Sequence, residues 1–138
     1  MVLASVSYKA YSSSFGRNLQ HLCFVPKYRH KIFVHKDVQE RCAQSFADTA
    51  QRYGMRIHEL AFNIDHVHMV VEIGPRLSVA DAARLFKGAS AHALFGALPW
   101  LRQKYFWGGH LWSPAYFFDS VGMNTYENVQ QYVRGQAT

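Results

Sequence analysis

The chain has 138 residues, a formal net charge of +6 with histidine neutral, and 49% hydrophobic against 17% charged residues. That length suits one core rather than two joined by a linker, and the composition argues against disorder and against a fold that needs disulfides or metal to hold it. The basic balance, with 10 Phe, 8 Tyr and 3 Trp, suits a surface that meets phosphates and stacks on bases, although a basic enzyme without nucleic acid has the same composition.

Residues 1–17, with the run Ser12-Ser13-Ser14, read as a poorly ordered arm ahead of a single domain over 18–138. Leu19 to Val25 is a nearly all-apolar run stopped by Pro26, which fits a strand buried on both faces. Asp37 and Glu40 give a D-x-x-E helix start, Val38, Cys42, Phe46, Ala50 and Tyr53 recur at helical spacing, and Gly54 ends the run. Met55 to Asn63 and His66 to Ile73 follow as two strands that should pair antiparallel.

Ser78 with Asp81 opens a second helix whose buried stripe is expected at Val79, Ala82, Phe86, Ala89 and Ala93, and Pro99 starts a short helix through Tyr105. Leu111 to Asp119 reads as a strand, and a final helix runs from about Asn124 to Gln136. The resulting order, βαββαβ plus a C-terminal helix, predicts an α+β ferredoxin-like fold: an antiparallel sheet with helices packed on it. Cys23 and Cys42 lack C-x-x-C spacing and read as reduced thiols of a cytoplasmic protein, and no uncharged stretch is long enough to span a bilayer.

His66-Val67-His68 carries the most chemistry, because side chains at i and i+2 of a strand share a face and two imidazoles there can grip one divalent ion. The bland alternative is a pair of solvated histidines. Glu72 lies on the same side of the strand, so H-x-H-x-x-x-E partly resembles the metal motif of cupin barrels; Leu60 and Val79 replace the glycines that frame that motif. On the last helix Tyr132 and Gln136 are one turn apart and share a face. Lys27, Arg29 and Lys31 cluster after the first strand, and Arg84 and Lys87 share a helical face, so both groups can neutralise phosphates.

These features in this order resemble the HUH single-tyrosine transposases of the insertion sequence 200/605 family. The resemblance covers about Asn18 to Gln136, through Lys27-Tyr28-Arg29-His30, Asp65-His66-Val67-His68, Phe86-Lys87-Gly88-Ala89-Ser90, Trp107-Gly108-Gly109-His110-Leu111-Trp112 and Gln131-Tyr132-Val133-Arg134-Gly135-Gln136. It implies an enzyme that cuts and rejoins single-stranded DNA at the ends of a mobile element through a 5′-phosphotyrosine intermediate, recognising hairpins there. By the same resemblance Tyr132 is the nucleophile, His66, His68 and Gln136 bind Mg²⁺ or Mn²⁺, and the working unit is a homodimer, in which the catalytic helix of one subunit completes the histidine site of the other in several members. Asp65 stands as a group behind the ligands, and Glu72 as a rival third ligand. The alternatives are a non-catalytic nucleic-acid-binding module of the same layout and the related tyrosine nucleases that process repeated extragenic palindromes.

Overall fold

The computed structural model describes residues 8–11 and 13–122. After a short N-terminal hairpin, β1 (Lys9–Ala10) and β2 (Phe15–Gly16), the chain runs β3 (Leu19–Pro26), α1 (Lys36–Arg52), β4 (Arg56–Phe62), β5 (Val67–Glu72), α2 (Val79–Ala97), α3 (Pro99–Tyr105) and β6 (Trp112–Ser120). The last four strands pair in the order β4-β5-β3-β6, antiparallel throughout. This is the expected ferredoxin-like sheet, with the first and third strands of the motif at its centre.

The pleat sorts the side chains. Leu22 and Phe24 of β3 and Val67, Met69 and Val71 of β5 form one row of the core with Val38, Cys42 and Phe46 of α1 and Phe86 and Leu94 of α2. The Phe46 ring meets those of Phe86, Phe24 and Trp112 at 5.5, 6.0 and 6.3 Å, and Trp112 Nε1 donates to Ser90 Oγ at 2.9 Å. Burying each of these large side chains contributes about 1.5–3 kcal/mol, so the helix-facing row holds the sheet in register.

Two helix expectations shift in detail. The buried row of α2 runs through Ala82, Ala83, Phe86, Ser90 and Leu94 instead of Ala89 and Ala93. Ser90 is tolerated inside because its hydroxyl donates to Lys87 O and accepts from Trp112, while Ala89 and Ala93 line a groove against α1. At the start of α1 no D-x-x-E box forms: His35 is the capping residue, and Asp37 lies within the first turn, accepting from the Val38 amide. The entry is fixed instead by buried Ile32 and Phe33 and by the Gln39 side-chain amide, which donates to Phe33 O at 2.6 Å. The start of α2 does close a capping box between Ser78 and Asp81, and Gly54 takes φ +71° to end α1 as the sequence predicts.

Where the sequence reads a loose arm over 1–17, the described part of it folds into the β1–β2 hairpin and is clasped by Glu72. The Glu72 carboxylate accepts from the Asn18 amide with both oxygens, at 2.9 and 3.0 Å, from the Gly74 amide at 3.0 Å and from the Tyr11 phenol at 3.1 Å. Burial and the Glu72 charge push the Tyr11 phenol up to about 12, so it remains a donor. Replacing Glu72 with Ala strands these donors, and we expect a loss of about 3 kcal/mol in chemical denaturation; a change below about 0.5 kcal/mol would show that the clasp contributes little.

Candidate metal centre

The face of β5 turned away from the helices carries His66, His68, Val70 and Glu72, and the pairing register lays residues of β3 beside them. Cys23 is opposite His68, His21 opposite Val70, and Leu19 opposite Glu72. The rings of His66 and His68 lie 4.8 Å apart at 85°, so the structure brings together the two imidazoles that the H-x-H spacing predicts.

Each ring is held through its Nδ1. His66 Nδ1 lies 2.8 Å from Asp65 Oδ1. A carboxylate can only accept, so the ring donates there, and in the neutral ring that tautomer leaves the lone pair on Nε2. Asp65 reaches this position because it lies in the tight turn between β4 and β5, closed by the bond from Asn63 N to His66 O at 2.8 Å, and is not bound by strand alternation. Its second oxygen pairs with Arg29 Nε at 3.3 Å, and the bond from His66, with Arg29 beside it, holds the Asp65 carboxyl below the usual range. Asp65 is thus placed behind the His66 ring.

His68 Nδ1 lies 3.1 Å from His21 Nε2, with the rings stacked at 5.3 Å and 25°. Burial, followed by the neighbouring His66 and His21, pushes His68 down to about 4, so it is neutral at pH 7 as a ligating imidazole must be. His21 is also lowered by burial, with Asp119, its register partner on β6, acting in the opposite sense. Cys23, beside this pair, is pushed up to about 11 by burial and stays a thiol at pH 7.

Sequence reasoning missed His21. It reads β3 as an apolar strand buried on both faces, and the available signal was a single imidazole at the period-two position shared with Leu19 and Cys23.

Glu72 does not join the pair. It stands four residues beyond His68, about 13 Å along an extended strand, and its oxygens are occupied by the Asn18, Gly74 and Tyr11 donors. Tyr132 and Gln136 lie outside the described residues. Among the described residues no set of three His, Cys, Asp or Glu side chains is placed to hold an ion. The pair of imidazoles fits a divalent cation: two oriented ring-nitrogen ligands on one face, one of them backed by a carboxylate.

The basic residues divide between two places. Lys27 and Arg29 form a single 3₁₀ turn after β3, in which Tyr28 and Arg29 take left-handed φ of 61° and 52°. That turn, Lys31 and the Asp65–His66 turn share one end of the sheet, where Phe33 N also bonds Ile64 O at 3.1 Å. Arg84 and Lys87 lie on α2, across the sheet from the histidines. Arg84 pairs with Asp81 at 3.0 Å, and the Lys87 ammonium donates to Ser113 O at 2.8 Å and Pro114 O at 3.4 Å, fixing the start of β6. Among the described residues no helix is long and apolar enough to cross a membrane.

Comparison with known proteins agrees with this layout. Residues 16–136 match the family model described as IS200-like transposase. The chain is 34% identical over 116 residues to the ISDra2 transposase TnpA of Deinococcus radiodurans, covering 84% of this chain and 81% of that one. It is 31% identical over 116 residues to the transposase for insertion sequence element IS200 of Salmonella typhimurium, covering 84% and 74%. A crystal structure of a transposase assigned in D. radiodurans superposes with a TM-score of 0.74 at 32% identity, over 94% of this chain and 98% of that one. A REP-associated tyrosine transposase bound to a REP hairpin shares the fold at a TM-score of 0.60 and 10% identity, over 91% and 68%. With the family match spanning nearly the whole chain and two insertion-sequence enzymes about one-third identical to it, the protein belongs to the IS200-like, single-tyrosine transposase family.

Proposed function

We propose that this transposase cuts and rejoins single-stranded DNA through a covalent link to Tyr132, with Mg²⁺ or Mn²⁺ held by His66, His68 and Gln136. The observation that carries the reading is the His66–His68 pair, oriented through Nδ1 on one face of the sheet, in a chain of this family. The hairpin bound by the REP-associated fold relative supports hairpin-bearing DNA as the substrate here.

The chemistry conserves bonds. The Tyr132 phenolic oxygen attacks the scissile phosphorus and loses its proton. The bond from phosphorus to the 3′ oxygen breaks, and that oxygen takes up a proton, leaving a 5′-phosphotyrosine and a free 3′-hydroxyl. A 3′-hydroxyl from another strand reverses the step, so joining needs no ATP. The cation, when bound, supplies Lewis-acid neutralisation of the phosphate oxygens. Asp65 holds the His66 ring in the tautomer that leaves Nε2 as donor, and the amide oxygen of Gln136 adds a hard ligand suited to either ion.

Lys27, Arg29 and Lys31 meet the DNA backbone at the histidine end of the sheet. Arg84 meets a different stretch, across the sheet, and Lys87 serves that contact by fixing the start of β6. The protein acts as a homodimer. Heterodimers of Tyr132→Phe and His66→Ala subunits would be active if the catalytic helix is shared between subunits and inactive if each subunit is self-contained.

Incubated with a labelled hairpin-bearing single strand and Mn²⁺, the protein should leave a covalent adduct on a denaturing gel. The adduct should vanish with Tyr132→Phe, with His66→Ala and with a chelator; an adduct that persists in Tyr132→Phe contradicts the assignment. Gln136→Ala should remove cation-dependent cleavage while a folded Glu72→Gln protein retains it, and the opposite pattern would make Glu72 the ligand. Lys31→Ala should make the plot of log affinity against log salt shallower by about 0.7 for a single-stranded ligand, and an unchanged slope would remove Lys31 from the DNA surface.

A further inference from the structure

We infer that His21 is a positioning residue for this site: its ring fixes the tautomer of His68 so that His68 Nε2 faces a divalent cation with a lone pair. The inference rests on the reading of His66 and His68 as cation ligands. His21 is buried at 5% exposure on a strand otherwise lined by apolar residues and a thiol on that face, and its Nε2 lies 3.1 Å from His68 Nδ1.

Only one proton fits between two neutral ring nitrogens at that distance. Placed on His68 Nδ1, it makes His21 Nε2 the acceptor, puts the remaining His21 proton on its Nδ1, and leaves His68 Nε2 unprotonated. Asp119, the register partner of His21 on β6, places a carboxylate charge next to a ring that must then donate through Nδ1. The edge of the Phe117 ring, 5.3 Å from that of His21, packs it from the same strand. The result mirrors the Asp65–His66 bond: both imidazoles are held through Nδ1, and in each neutral ring the lone pair is then on Nε2. A carboxylate orients one ligand, and a second histidine orients the other.

The test is ¹⁵N NMR of the imidazole nitrogens in the metal-free protein, together with Mn²⁺ affinity by titration. Wild type should show His68 protonated at Nδ1. His21→Phe should lose that preference and weaken Mn²⁺ binding about 10- to 100-fold, and His21→Gln, whose amide oxygen can accept the same proton, should restore most of both. A packing role alone would be satisfied by Phe and would show no rescue by Gln. His68 protonated at Nε2 in wild type, or the same tautomer and affinity in His21→Phe, would overturn the inference. A wild-type protein with the expected tautomer and no Mn²⁺ binding would instead overturn the cation reading beneath it.

Discussion

The site depends on the alternation of β5. Val67, Met69 and Val71 are fully buried against the helices, and the same pleat turns His66 and His68 to the other face. A one-residue slip in the pairing with β3 would drive both imidazoles into the helix-facing core and turn Val67, Met69 and Val71 onto the face the histidines now occupy. The hydrophobic row therefore acts as the register lock for the chemical row. The stability of the core and the geometry of the histidines are one constraint, because neither row can move without the other.

On that frame, local contacts decide what the histidines can do. The turn between β4 and β5 frees Asp65 from strand alternation and lets it reach back to His66, while its other oxygen secures Arg29. Burial keeps His68 neutral, and His21, delivered by the adjacent strand, occupies its Nδ1. The 3₁₀ turn of Lys27 to Arg29 sits at the same end and puts positive charge beside the Asp65–His66 turn, while α2 carries Arg84 and Lys87 on the opposite side. Glu72, at the far end of the strand, serves the fold by clasping the N-terminal hairpin.

Much of this was legible in the residues. The period-two pattern of β5, the Ser78–Asp81 box and the start of α3 at Pro99 each rest on local geometry, and the structure places them as expected. What the sequence hid depends on partners distant in the chain. His21 sits in an apolar run, and only the register with β5 and β6 shows what it touches. The expected stripe of α2 passed over Ser90, whose place in the core depends on a partner 22 residues away, Trp112. The occupation of Glu72 by Tyr11 and Asn18, and of Lys87 by backbone carbonyls of β6, could not be read from spacing on their own elements.

Everything in the proposed chemistry requires that the two imidazoles of the H-x-H strand bind one divalent ion. Pulsed EPR of Mn²⁺ bound to the protein tests it directly, because nitrogen hyperfine couplings report ligating imidazoles without requiring the right DNA sequence. Couplings from two histidine nitrogens are expected, reduced to one in either His66→Ala or His68→Ala. Bound Mn²⁺ with no nitrogen coupling, or couplings that survive the double substitution, would contradict it.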